Sequence, residues 1–289
     1  MKHLPIQSSI ESDGQQPIPK CDDDPTTIDA TSRTQDGHWE SDATFEEIRN
    51  CIGKSFAGTD VVPGEPLVSW AGSHLKNLNG YTMEQHQETC KFVLGFPVFE
   101  DLKEKNTFVV AKKEYTGENV GSTGELASAA VIKEYDPFKK TNGFFSKVAT
   151  FWRTKMAILT MSRQSPIPAL FADKNKREAA KNLEKKMMAA ISVLDKAHKE
   201  EGPQHPHWYV HLVAVNPAFN GRGYGRELME KVNELADNAG VTSYLECGMS
   251  NVKFYEKMGY TMQSIKTVED PINPQDEPGR FALMVRRPQ

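Results

Sequence analysis

The chain has 289 residues, with 35 Lys and Arg against 39 Asp and Glu and a formal net charge of −4. That balance exerts no global pull toward nucleic acid or an acidic membrane surface, so neither is an expected partner. Its four cysteines, Cys21, Cys51, Cys90 and Cys247, stand far apart with no Cys-x-x-Cys pair, which reads as free thiols in a reducing compartment. No run of about 18 apolar residues occurs, so no membrane span is expected. The stretch from Met1 to Ser8 lacks the apolar core of a signal peptide, and the cytosol or the nucleus is the expected location.

Residues 1 to about 40 are rich in Ser, Thr, Asp, Gln and Pro, with Trp39 as their only aromatic residue. Such a composition buries too little apolar surface to offset backbone ordering, so a disordered acidic tail is expected. Phe45, Ile48, Ile52 and Phe56 then recur at helical spacing before Gly58, with Asp42 or Thr44 as cap. Gly64 and Pro66 mark a loop, and a second helix is expected over 82–94. The segments 107–115 and 125–135 read as two strands joined by a hairpin connection over 117–124.

Between Pro137 and Ala172 there is no acidic residue, while Lys139, Lys140, Lys147, Arg153, Lys155 and Arg163 alternate with Phe144, Phe145, Phe151 and Trp152. Nucleic-acid or membrane-surface contact is one reading of that mixture. An apolar core under a cationic face is the plainer one, and a wall over an anionic ligand is a third. Residues 173–201 form the longest helical pattern, with Ala180, Leu183, Met187, Ile191, Leu194 and His198 on one face and Gly202-Pro203 as the stop. The pair Met187-Met188 reads as core packing.

The densest signal begins at His207. Nine residues rich in aromatic and β-branched side chains make a buried strand, which Asn216-Pro217 breaks. Gly221, Gly223 and Gly225 follow at every second position and lead into an amphipathic helix closed by Gly240. A glycine loop that runs into a helix N-terminus is an anion site, because glycine lets phosphate approach the backbone and the first helical N–H groups are unpaired. Residues 241–247 are the next strand, and the strand–helix–strand order requires parallel pairing. A short helix over 251–260, with Ser250 or Asn251 as cap and Gly259 as terminator, and a last strand over 281–285 complete the chain.

Two familiar phosphate loops do not fit. A nucleotide-hydrolysing loop ends in Gly-Lys-Ser/Thr, whereas Gly225 is followed by Arg226-Glu227. The dinucleotide fingerprint has a different glycine spacing and follows its strand directly. The segment Asn220-Gly-Arg-Gly-Tyr-Gly225 instead resembles the Gln/Arg-x-x-Gly-x-Gly/Ala signature of the GNAT acyl-coenzyme A N-acyltransferases, with Asn in place of Gln or Arg. Leu212 to Pro217 is similar to that family's fourth strand and its turn, and Asn251 to Tyr260 to its Asn-x-x-x-Phe-Tyr-x-x-x-Gly-Phe/Tyr helix.

The resemblance implies an α/β fold, a mixed sheet flanked by helices in which two parallel strands splay around a thioester. It implies a single catalytic domain over 41–289, with the acetyl-CoA-binding core at 207–262 and the 137–205 segment as a helical insertion or lid. Acetyl-CoA would be the acyl donor, and no metal is called for. By resemblance, the backbone of Val213, Ala214 and Val215 pairs with the pantetheine arm, and the Val213 N–H faces the thioester carbonyl. The loop residues Asn220, Gly221, Arg222, Gly223, Tyr224, Gly225 and Arg226 take the pyrophosphate. Asn251 matches a cofactor-contacting position, and Tyr255 matches the general acid that protonates the departing thiolate. Glu246, at the end of its strand, is a candidate general base. His211 is a second, and a water chain is an equally open route. The expected acceptor is a primary amine of a small molecule, attacked directly. A protein or histone lysine acetyltransferase and a catalytically inactive acyl-CoA sensor are the alternatives. Oligomeric state is not legible.

Overall fold

The computed structural model describes residues 43–76, 78–102, 106–114, 124–138 and 174–289. The acidic tail, most of the 117–124 connection and the basic, aromatic segment beyond Phe138 lie outside the described residues.

Helix α1 (Phe45–Ala57) starts at a capping box. The Thr44 hydroxyl accepts the Glu47 N–H at 3.3 Å, and the Glu47 carboxylate accepts the Thr44 N–H at 2.7 Å. Helix α2 (Pro66–Ala71) stands where the sequence reads as a loop. Pro66 occupies its first turn, and the Glu65 carboxylate caps it by accepting the Val68 N–H at 2.8 Å. Helices α3 (Ser73–Lys76) and α4 (Met83–Leu102) follow, the latter one turn or more longer than the expected 82–94. Strands β1 (Thr107–Glu114) and β2 (Glu125–Tyr135) pair antiparallel, as the hairpin reading predicts. Then come helix α5 (Lys174–Glu201), strand β3 (His207–Val215), a 3₁₀ turn at Pro217–Phe219 and helix α6 (Tyr224–Asn238). Strand β4 (Ser243–Gly248), helix α7 (Val252–Lys257) and strands β5 (Thr261–Val268) and β6 (Gly279–Arg286) close the chain.

The six strands form one mixed sheet in the order β1-β2-β3-β4-β6-β5. Side-chain alternation sends Val210, Leu245, Cys247, Ala282 and Met284 to one face, under Leu228, Met229 and Val232 of α6 and Tyr255 of α7. The opposite face carries Leu212 and Ala214 under α1, and Tyr244, Phe281 and Leu283 under α2 and α5. A mixed α/β sheet with helices on both faces is the fold class that the sequence predicts. Strand β5 was not expected. It is the outer strand, exposed along nearly its whole length, and lacks the apolar alternation that marks a half-buried strand. Among the described residues no helix is long and apolar enough to cross a membrane.

Helix α5 occupies the expected span and turns Leu183, Met187, Leu194 and His198 of the expected face inward, but not Ile191. Ile191 is 43% exposed and Met188 is 61% exposed, so of the Met187-Met188 pair only Met187 packs in the core. The helix also buries Lys186, a charge that the apolar pattern leaves to solvent. The Lys186 ammonium lies 2.5 Å from the Asp270 carboxylate, with side chains 2% and 0% exposed, and sits 5.0 Å from the Trp70 ring. Burial alone would raise the Asp270 pKa, but the ammonium and the N–H groups of Ile272 and Asn273 hold it below the ordinary value. A buried pair contributes little against an apolar replacement, whereas half of one is costly. Lys186→Met is therefore expected to lower the unfolding free energy by about 3–5 kcal/mol in urea titration. Adding Asp270→Asn should recover part of that loss.

Candidate active site

The site lies where β3 and β4 part. These parallel strands pair only at Trp208↔Ser243 and Tyr209↔Tyr244. Beyond them β3 runs on to Val215 beside β2, and β4 runs on to Gly248 beside β6. A gap opens between two half-sheets.

One extra residue decides which backbone groups face that gap. Leu212 pairs with Val131 and Val210 pairs with Ile132, so His211 is the extra residue of a β-bulge. The Trp208 N–H bonds to the Thr242 carbonyl on the β4 side, while the Asn216 N–H bonds to the Ala127 carbonyl on the β2 side. In a regular strand N–H groups an even number of residues apart point the same way. The bulge reverses the sense between them, so Val213 and Val215 turn their N–H groups toward the gap and Ala214 turns its own toward β2. The Val215 N–H is bonded to Ser55 Oγ of α1 at 3.1 Å.

The loop after β3 is held by Asn216, which is buried. Its side chain donates to Glu125 at 2.9 Å and to the Leu126 carbonyl at 3.3 Å, and accepts the Ala218 N–H at 3.1 Å. Gly221 and Gly223 have φ of +77° and +89°, where a side chain is strained, although open space lies beside both. Gly225 has the reverse requirement. A Cβ there would lie 3.2 Å from Val215 Cγ2 and 3.8 Å from Phe254 Cζ, so helix, strand and α7 meet closely. No side chain caps α6 at Gly223, and its first-turn N–H groups have no intrahelical acceptor.

The side chains expected at this loop divide into two groups. Arg222 is 57% exposed, over the Phe219 ring and 3.9 Å from Glu114. Arg226 is exposed and paired with Glu230 at 2.7 Å. Tyr224 turns away, burying its ring against Ala127 and Phe219 and donating its hydroxyl to Glu114, so only its backbone is left for an anion. Asn220 folds back, its side-chain oxygen accepting the Gly221 N–H at 3.1 Å. Next to Arg226, a groove of about 850 Å³ runs between α6 and α7, bordered by Phe254, Lys257 and Arg286.

On the α6 face, Tyr255 is buried in the core, its ring set edge-on to Phe254 and Tyr260. Burial is the main cause that raises its pKa, with further contributions from Cys247, Tyr260 and Glu65, so the phenol stays protonated at physiological pH. Burial also pushes the Cys247 thiol up to about 12. Asn251 does not cap α7, and neither does Ser250: the helix is entered through a 3₁₀ turn at Met249–Asn251 with no side-chain cap bond.

On the opposite face, Glu246 is the first β4 side chain past the Tyr209↔Tyr244 pair. Its Oε1 accepts the Tyr244 hydroxyl at 2.8 Å, and it also accepts from Tyr209. Burial pushes its pKa up to about 7, against the opposing pull of the two hydroxyls and of His211. His211 stacks on Tyr209 with ring centroids 5.1 Å apart. A second carboxylate was passed over in the sequence. Glu65, besides capping α2, accepts the Gly248 N–H, and the position of a Cβ on Gly248 would be 2.6 Å from its Oε1. Burial raises its pKa despite the N–H groups of Val68, Leu67 and Gly248. Its local signal was Glu before Pro, a helix-start pattern. Among the described residues, no group of three or more His, Cys, Asp or Glu could hold a metal ion.

Residues 152–260 match the model of the acetyltransferase (GNAT) family. An uncharacterised N-acetyltransferase of Schizosaccharomyces pombe is 32% identical over 62 residues, which span 22% of this chain and 26% of that protein. The polyamine N-acetyltransferase of Drosophila melanogaster is 15% identical over 84% of this chain and 94% of its own, with a TM-score of 0.46. Arylalkylamine N-acetyltransferase 2 of Aedes aegypti is 14% identical over 85% and 94%, with a TM-score of 0.45. The glycine loop, the strand before it and helix α7 all fall inside the stretch that matches the acetyltransferase (GNAT) family.

Proposed function

We propose that the protein transfers the acetyl group of acetyl-CoA to a primary amine of a small molecule by direct attack. The observation that carries this reading is the gap itself: two outward backbone N–H groups on β3, an anion-binding loop at its end, and a protonated phenol and a carboxylate of raised pKa on its two faces. Acetyl-CoA supplies an activated acetyl thioester. The N–H groups of Gly223 to Arg226 suit its pyrophosphate, with that of Gly221 joining them once Asn220 yields it, and the groove beside Arg226 has room for the nucleotide. The Val215 N–H serves the pantetheine arm once Ser55 yields it. The Val213 N–H is aimed where the carbonyl oxygen gains charge, and such a donor contributes about 3–4 kcal/mol to the transition state.

Glu246 takes the proton of the incoming ammonium. A carboxyl with a pKa of about 7 is half ionised at neutral pH, the condition a general base needs. Tyr255 offers its hydrogen to the departing sulfur. A free thiol has a pKa of about 8.5 and this phenol a higher one, so it acts as a hydrogen-bond donor before any full transfer. Cys247 stays a thiol at neutral pH and makes no acyl-enzyme, which favours direct attack. The carboxylate of Glu65 supports a second assignment of the base, since it too is half-buried beside the end of β4, with a raised pKa.

Release of CoA from acetyl-CoA over a panel of amines tests the reading. Turnover is expected on at least one amine, with kcat about 100-fold lower in Tyr255→Phe and acetyl-CoA affinity little changed. Tight binding of acetyl-CoA with no turnover on any amine would mean a sensor instead. Gly223→Asp places a carboxylate at the loop and strains a φ of +89°, so calorimetry should show acetyl-CoA affinity at least 30-fold weaker, about 2 kcal/mol. Because a protonated base is inactive, kcat/KM should rise with pH through about 7 and fall tenfold per unit below it. Glu246→Gln should abolish that acid limb; if Glu65→Gln removes it and Glu246→Gln does not, Glu65 is the base.

A further inference from the structure

Tyr209 and Tyr244 are the last pair joining β3 to β4 before the strands separate. Their rings lie on the same face, with centroids 5.7 Å apart, and both hydroxyls reach the carboxylate of Glu246, two residues past the fork. Each strand of the fork thus sends one donor to a single acid. We propose that Tyr209 and Tyr244 are positioning residues for the reaction, a two-strand clamp that fixes the Glu246 carboxylate at the fork. This rests on the reading that Glu246 takes the proton from the amine.

The physical need for a clamp follows from where the acid stands. A carboxylate drawn out of water is driven toward its neutral form, and a neutral carboxyl cannot accept a proton. Hydroxyl donors favour the ionised form and also fix the side-chain rotamer, which leaves less freedom to lose in the transition state. A tyrosine does this without adding charge, whereas a lysine or arginine would pull the base far below neutrality. Burial keeps the Tyr244 phenol protonated, so it remains a donor over the whole working range.

Other titratable groups around the fork do not replace these donors. From β3, His211 stacks on Tyr209 and acts on Glu246 through charge. From α5, His198 stacks on Tyr244 at 4.5 Å, but burial pushes it down to about 4, so it is neutral where the base works. Glu201 of α5 acts on Tyr244 by repulsion. Glu65, before α2, acts on Cys247 at the end of the strand. On β6 the residue paired with Glu246 is Leu283, which does not titrate.

The test is the pH profile of kcat/KM for acetyl transfer to an amine found in the panel, for Tyr209→Phe and Tyr244→Phe alone and combined with Glu246→Gln. Loss of one hydroxyl should move the acid limb up by about one pH unit, so kcat/KM falls about tenfold at pH 6 and stays near wild type at pH 9. The affinity for acetyl-CoA should stay within about threefold, and neither Phe change should alter the profile further in the Glu246→Gln background. A merely structural role would lower the plateau and leave the limb in place. An unmoved limb in both Phe variants, with Glu246→Gln abolishing it, overturns the clamp and leaves the base assignment standing. A limb that survives Glu246→Gln overturns the base assignment, and the clamp with it. Tyr244 is fully buried; if Tyr244→Phe does not fold, the half-buried Tyr209 decides alone.

Discussion

Each backbone N–H of a strand serves one of two edges, and the alternation is rigid unless a residue is added. In β3 the added residue is His211, and most of the site follows from it. Before the bulge the strand is tied to β4 through Trp208; after it Ala214 and Asn216 serve β2, and Val213 and Val215 are left facing a gap. A regular strand would have turned the hydrogen-bonding edge of Ala214 to the gap instead. The same bulge places Val210 and Val213 against α6 and Leu212 and Ala214 against α1, so both helical layers stay packed across the opening. The sheet is split without losing its core.

The division of the chemistry between faces has a physical basis. The phenol of Tyr255 lies in the apolar seam of α6 and α7, where nothing stabilises an ionised form, and it stays a donor. The carboxylate of Glu246 lies on the other face, where two hydroxyls and an imidazole offset part of the burial penalty and leave it near neutrality. The proposed proton donor and the proposed base are thus kept apart by the thickness of a sheet. Their environments push them in directions that suit opposite roles.

How much of this was legible depended on the range of the interactions. The loop could be read because its constraints are local: positive φ at Gly221 and Gly223 and an Asn216-Pro217 turn whose side chain caps its own backbone. Glu65 could not be read as a site residue, since its contact with Gly248 joins distant parts of the chain through tertiary packing. The burial of Lys186 on α5 could not be read, because a binary apolar pattern assigns a lysine to solvent and only the Asp270 partner makes its burial tolerable. Strand β5 escaped because an outer strand that is largely exposed has no apolar alternation to show. The bulge was invisible for a related reason, as a continuous aromatic and aliphatic run gives no hint of one extra member.

The bond from Val215 to Ser55 bears on what the free protein gives up when it binds. A donor on an open sheet edge is costly if left dry, and here a hydroxyl from α1 satisfies it. A ligand that adds itself to β3 as a further strand must take over that donor, so the two acceptors exclude each other. By linkage, whatever Ser55 adds to the stability of the empty fold is subtracted from the affinity for that ligand. The rotamer of Ser55 and the occupancy of the gap are therefore two readings of one equilibrium, with a single serine hydroxyl as the coupling between them.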